Sequence, residues 1–353
     1  MWQKIRLVPR TLYNPDAVAQ LDRLLNDYTP DVAHVHNIYH YLTPAIFPVL
    51  KKHGVPIVFK LSDYHAVCPN YALFAHGEID HSCEKGHYYK LLCNKSIGNS
   101  WSESFVGMME GYVNAWKKYY DCVDLFVAPS DFMKELCVSY GIPREKIVVL
   151  RNVLNFDAYD LSVPVKENIF LYMGRIAEEK GLTTLVDAMH ALKDDHALDN
   201  WRCVIAGKGP QEKALQRYIV DRDVQDVVRL AGFCPKGGDA WKKWMRSASV
   251  AVLPSVWYDN SPIAISESMA FHTPVIVSDR GGTKEMIEDG TSGFVFRATD
   301  SADLAQKMRR FIDNDTLIDT MGAHARERVM QLNNTQKYYE TLMEIYGSVI
   351  SNQ

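Results

Sequence analysis

Two carboxylates, Asp259 and Glu267, stand with seven residues between them in the segment PSVWYDNSPIAISESMA that begins at Pro254. The segment reads as strand, polar loop and helix. Ser261 is the expected N-cap and Pro262 the first helical residue, which leaves the N–H groups of Ile263 and Ala264 free beside Asn260 to meet an anion. One carboxylate can then reach a sugar and the other a ribose, because ionised carboxylates accept hydroxyl hydrogen bonds strongly. The plainer alternative is a first-turn acid that offsets the helix dipole and a surface glutamate. Upstream, the runs Tyr172-Met173-Gly174-Arg175 and Glu179-Lys180-Gly181 place two cations, Arg175 and Lys180, in a loop that leaves a strand and enters a helix. A guanidinium and an ammonium beside a glycine turn suit a diphosphate, although alone the pair reads first as solvated surface charge. The next strand ends in Gly207-Lys208-Gly209, where backbone can approach a ligand. Phe233, beyond the strand after that, could flank a nucleobase or simply pack. Thr273 to Ser278, with Gly281-Gly282 following, adds another such turn. Five strand-to-helix loops agreeing at one sheet edge is what favours a ligand site.

Those loops need strands and helices to hold them. Short β-branched runs such as DVAHVH, PIVFKL, DLFVAPS, IFLYMG, WRCVIAG, VAVLPS and PVIVSD alternate with helical periodicity over 15–28, 105–120, 131–140, 182–192 and 301–313. Such alternation predicts an α/β protein with parallel sheets. At 353 residues the chain is long enough for two domains. Asn152 to Asn168 loses periodicity and carries Pro164, so it marks the boundary. The expected division is 1–155, 165–335, and a terminal helix over 336–353 that returns to the first domain.

The Asp259-x7-Glu267 segment resembles the family-4 retaining glycosyltransferases of the GT-B fold, whose donor half carries an acidic-x7-Glu motif. The family usually has Glu at the first acid, where this chain has Asp259. The resemblance implies two Rossmann-like domains facing a cleft. Residues from Ile169 to about Phe296 would be the donor half, with Glu267 on the nucleotide ribose and Arg175 and Lys180 on the diphosphate. The implied reaction moves a hexose-type sugar from a nucleoside diphosphate sugar to a hydroxyl of a polysaccharide or lipid-linked saccharide, with retention. Arg175, Lys180 and the helix N-terminus would stabilise the leaving group, so that no cofactor or catalytic metal is required.

Asp31 to Asn37 and Leu61 to Tyr71 resemble the acceptor half. They make Asn37, Ser62, Asp63 and His65 acceptor-side candidates, with Ser62 where the family commonly has His. Family members also open on a strand and a glycine-rich loop that is not found before Asn37. This suggests a truncated N-terminal domain, with a partner chain as one way to complete its sheet. Two other readings stand beside transfer. One is a donor-binding pseudoenzyme or subunit, favoured by Ser62 and the short start; the other is a nucleotide-sugar epimerase, which the Asp259 loop disfavours.

Composition narrows the partners. A formal charge of −4, with Lys and Arg scattered singly or in pairs, excludes a nucleic-acid face. No uncharged stretch approaches the ~20 apolar residues that span a bilayer, so the chain is expected in the cytoplasm, with peripheral contact at the inner membrane face. Of seven cysteines, Cys122, Cys137, Cys203 and Cys234 sit singly in apolar surroundings and read as core. Cys68, Cys83 and Cys93 share one polar loop and leave two readings: a structural zinc or free thiols.

Overall fold

The computed structural model describes residues 10–39, 41–159 and 165–351. The chain divides into two compact units, Met1–Arg151 with Gln336–Gln353, and Asn152–Thr335.

In the first unit the described strands β1 (Ala33–Val35), β2 (Ile57–Lys60), β5 (Leu125–Ala128) and β6 (Ile147–Val149) form one parallel sheet in that order. Helix α1 (Pro15–Asp27) starts where Asn14 accepts the N–H groups of Asp16 and Ala17 and where Pro15 supplies a helical φ. Helix α2 (Ile46–Lys52) leads into β2. Beyond β2 the chain makes a long excursion. It contains the small hairpin β3 (Phe74–Ala75) and β4 (Glu78–Ile79) and the short helix α3 (Tyr89–Cys93). Helix α4 (Trp101–Lys117), capped by the Ser100 hydroxyl, and helix α5 (Asp131–Ser139), capped by Ser130, flank β5.

The hairpin turns the excursion back on itself and joins Cys68 to Cys83 in a disulfide with Cα atoms 5.5 Å apart. The three-cysteine zinc reading is therefore corrected: a disulfide sulfur offers no thiolate to a metal. Cys93 is exposed on α3, and among the described residues no cluster of three metal-ligating side chains forms. Of the four cysteines expected in the core, Cys137 and Cys203 are buried, and burial pushes both thiols up to about 12. Cys122 and Cys234 are half-buried.

In the second unit β7 (Glu167–Met173), β8 (Arg202–Ala206), β9 (Val228–Gly232), β10 (Ala248–Leu253), β11 (Val275–Ser278) and β12 (Gly293–Phe296) form a parallel sheet in the order β9-β8-β7-β10-β11-β12. Its helices are α6 (Leu182–Asp194), α7 (Glu212–Asp221), α8 (Asp239–Ser247), α9 (Ile263–Ala270), α10 (Ser301–Ile312) and α11 (Thr316–Leu332). The sheet is buried on both faces, as parallel strands require. One layer packs Phe170, Tyr172, Leu185 and Met189 together; the opposite layer packs Leu171, Val204, Trp241 and Phe271.

The strand order reverses between β7 and β10, and a doubly wound sheet opens a crevice outside the carboxyl ends of its strands at that point. The final helix α12 (Thr335–Ser351) lays Ile345 and Val349 against Val58, Val127 and Leu150 of the first unit. His34 and Tyr346 also meet there, with Nδ1 and the hydroxyl 2.5 Å apart. Among the described residues no helix is long and apolar enough to cross a membrane.

Candidate functional site

The reversal point of the second sheet is where the sequence candidates converge. Leaving β7, Gly174 donates its N–H to the Ala206 carbonyl at 3.0 Å, and Ile176 donates to Lys208 at 3.0 Å, so the loops after β7 and β8 are laced together. The lacing is close enough to need glycine. A Cβ on Gly207, whose φ is +156°, would lie 1.8 Å from the Gly174 carbonyl oxygen, whereas one on Gly237, at φ +76°, would meet nothing within 4 Å. Gly207→Ala is therefore expected to cost at least about 1–3 kcal/mol through the backbone alone, lowering Tm by several degrees. Gly237→Ala isolates the φ cost, and equal melting of the two variants would refute the clash.

Tyr172, buried in β7, donates its hydroxyl to the Arg175 carbonyl at 2.7 Å and shapes the turn; burial holds its phenol well above the usual range. Arg175 pairs with Glu179 and remains half exposed. Lys180 turns the other way. Its ammonium reaches Asp259 Oδ2 at 2.5 Å, and both side chains are nearly buried. The Ser255 hydroxyl donates to the same oxygen at 3.1 Å, and Lys180 Nζ lies 4.9 Å from the centre of the Trp257 ring. The backbone fixes this pair from both sides. Val256 N–H donates to the Glu179 carbonyl, and Gly282 N–H to the Asp259 carbonyl at 2.8 Å.

Eight positions on, the buried Glu267 faces inward from α9. Its Oε1 accepts from the Tyr159 hydroxyl at 3.0 Å and from Lys236 Nζ at 2.6 Å. Tyr159 stacks on Trp241, with ring centres 5.5 Å apart. Burial raises the Tyr159 phenol, and although burial opposes it, the bonds to Glu267 and Tyr159 hold the Lys236 ammonium above its ordinary value. At the far end of α9, Lys166 Nζ donates to the Phe271 carbonyl at 2.9 Å, and burial pulls its ammonium down to about 7.

One sequence expectation changes here. Ser261 does not cap α9. Pro262 occupies the cap position with φ −68° and ψ 121°, no side chain caps the helix, and the Ser261 carbonyl instead accepts from Asn152 Nδ2. Ile263 and Ala264 still open the helix. Asn260 is buried beside Asp259, while Lys208 and Phe233 are exposed on the loops after β8 and β9. Lys236, Tyr159 and Ser255 are the residues that sequence reasoning missed. The signal that could have found Lys236 is the polar PKGG turn after β9.

In the first unit, Asn37 follows β1 and Ser62 and Asp63 follow β2, so the carboxyl ends of two paired strands bring these three together. Burial raises the Asp63 carboxyl, which accepts the His65 backbone N–H at 3.0 Å. The His65 ring is not brought to that edge. It is buried, stacks on Tyr39 with ring centres 3.7 Å apart, and donates Nε2 to Glu110 at 2.6 Å.

The Glycosyl transferase 4-like domain family matches residues 2–153, and the Glycosyl transferases group 1 family matches residues 157–328. The chain belongs to the group 1 glycosyltransferases. The putative colanic acid biosynthesis glycosyltransferase WcaL of Salmonella typhimurium is 29% identical over 252 residues, covering 69% of this chain and 61% of that protein. An uncharacterized glycosyltransferase of Methanocaldococcus jannaschii is 25% identical over 335 residues, 87% of this chain and 83% of that one. The matched stretch thus spans about three-fifths of WcaL and 56% of the amylovoran biosynthesis glycosyltransferase AmsK of Erwinia amylovora. Among solved structures, Anabaena HepE in complex with UDP aligns with a TM-score of 0.68 at 14% identity, covering 94% of this chain and 82% of that one. The sucrose-phosphate synthase of Thermosynechococcus elongatus aligns at 0.70 and 18%, covering 96% and 78%. The group 1 family member therefore has the GT-B fold, and its two α/β units are the two Rossmann-like domains of that fold.

Proposed function

We propose that the chain transfers a hexose-type sugar from a nucleoside diphosphate sugar to a hydroxyl of a polysaccharide or lipid-linked saccharide, with retention of configuration. The observation that carries this reading is the buried Lys180–Asp259 pair at the point where the second sheet reverses, with the buried Glu267 on the adjoining helix. A diphosphate entering there would meet Lys180, Arg175 and the uncapped N–H groups of Ile263 and Ala264. These would stabilise the charge that develops as the sugar departs, so that no metal is required. In this reading Asp259 contacts the donor sugar and Glu267 the ribose. Gly174, Gly207, Lys208 and Gly209 line the approach, with Phe233 beside the base.

Asn37, Ser62 and Asp63 form the acceptor side, and His65 acts by positioning Asp63 from within the core. The UDP bound to HepE supports the donor class, and the relatives in colanic acid and amylovoran biosynthesis support the acceptor class. Both matched families are glycosyltransferases, which leaves the epimerase reading without support.

Calorimetric titration of the full chain with a panel of nucleoside diphosphates and their sugars, in the presence of EDTA, tests the reading. One of them should bind saturably, and Glu267→Ala should weaken that binding about 10- to 100-fold, as expected for lost hydrogen bonds to a charged acceptor. Absence of binding, or an unchanged constant in the variant, would overturn the assignment.

A further inference from the structure

Helix α4 is polar inside and apolar outside. Its buried side carries Ser104, Gly107, Glu110, Gly111 and Asn114. Its solvent side carries Trp101, Phe105, Met109, Tyr112 and Trp116, between 37% and 76% exposed. Spacings of four, four, three and four place these five on one face, over about 22 Å at the helical rise. A monomer gains nothing from this arrangement, since the apolar side chains stay in water while the small and polar ones are buried. No acid interrupts the face. Of the two carboxylates on the helix, Glu110 is buried and Glu103 lies against Gly98.

Lysines stand at both ends of the stripe. Lys95 Nζ lies 4.9 Å from the centre of the Trp101 ring and Lys117 Nζ lies 4.4 Å from that of Trp116, with Lys118 exposed beside it. Among the described residues none of the three is held by a carboxylate. Charge decides the occupant. Two copies pairing through this stripe, parallel or antiparallel, would bring lysines against lysines at each end, which costs affinity. An anionic headgroup layer would neutralise them. Tryptophan and tyrosine with flanking lysines are also the side chains that sit at a bilayer interface, rings at headgroup depth and ammonium groups outward.

We propose that the outward face of α4 binds the surface of an anionic lipid bilayer, with the helix lying in the interface plane. The five apolar side chains enter the acyl boundary, and Lys95, Lys117 and Lys118 engage headgroup phosphates. The proposal does not rest on the sugar-transfer reading: nucleotide titration can succeed where vesicle binding fails, and the reverse.

The test is sedimentation of the full chain with phosphatidylcholine vesicles, with and without phosphatidylglycerol. Binding is expected with the anionic vesicles and should fall about tenfold or more when Trp101→Glu is combined with Trp116→Glu. Lys95→Glu with Lys117→Glu should abolish the preference for phosphatidylglycerol. All four side chains are at least partly exposed, so circular dichroism and Tm should stay unchanged. Quenching of tryptophan fluorescence by brominated lipid gives a readout on the unaltered chain. No uptake by vesicles, equal uptake by the wild type and the tryptophan variant, or a dimer in sedimentation equilibrium that this variant dissociates would each overturn the proposal, the last by assigning the face to a second copy.

Discussion

Lys180→Ala is expected to lower turnover of the nucleotide-sugar donor by about 10²- to 10³-fold, the magnitude typical of removing one preorganised charge that meets a developing anion. Uncoupled release of nucleoside diphosphate from the donor is a readout that needs no acceptor. The same substitution also leaves Asp259 buried, with the Ser255 hydroxyl on its Oδ2 but no cation. Breaking a buried pair from one side costs about 3–5 kcal/mol, so the single variant should also melt earlier. The two effects separate in a neutral double variant, Lys180→Met with Asp259→Asn. It removes both charges together, and much of the stability should return while turnover stays low. Recovery of turnover in the double variant would mean that Lys180 and Asp259 both serve the fold and not the chemistry.

The site was legible in the sequence to the extent that it lies on one continuous strand-loop-helix segment. Pro254 to Ala270 supplies the polar loop and α9, while β10 ends just before it at Leu253, and the helix starts one residue after the Pro262 expected. The error at its N-terminus has a local cause. Serine before proline satisfies the capping pattern, yet the extended ψ of Pro262 delays the helix by one residue, and the Ser261 carbonyl is drawn to Asn152, far away in sequence.

Distance in sequence explains the other omissions. Tyr159 and Lys236 reach Glu267 from 108 and 31 positions away; nothing local marks Tyr159, in a segment without periodicity, and only the polar PKGG turn marks Lys236. The cysteine loop failed for the same reason. Spacing alone leaves a structural zinc or free thiols, and the β3–β4 hairpin instead brings Cys68 to Cys83 in a disulfide, with Cys93 the one free thiol of the three. In α4 the periodicity identified a helix but not which face turns inward. Its true start is Trp101, where Ser100 caps it, and not Phe105; it ends at Lys117, because the left-handed φ of 51° at the cap residue Lys118 stops propagation.

A buried polar pair holds that inverted helix in place. Glu110 is the inward-facing carboxylate of α4, and His65 Nε2 donates to it at 2.6 Å within a buried cluster that includes Tyr39 stacked on the imidazole. Burial raises the phenols of Tyr39 and Tyr120 well above their usual range, and the negative charge of Glu110 adds to that effect. Because this side of the helix is otherwise small or polar, the pair replaces the apolar packing that normally seats a helix on a sheet. Glu110→Ala leaves the buried His65 N–H without its acceptor and opens a void, which together should cost about 3–5 kcal/mol and lower Tm on the order of 10 °C. Glu110→Gln keeps an acceptor of the same shape and should lose less than half of that. Nucleotide affinity should be unchanged in both, since the donor residues belong to the other unit. Wild-type melting of Glu110→Ala would show that the His65–Glu110 contact contributes nothing to seating α4, and the polar interior of that helix would then need another explanation.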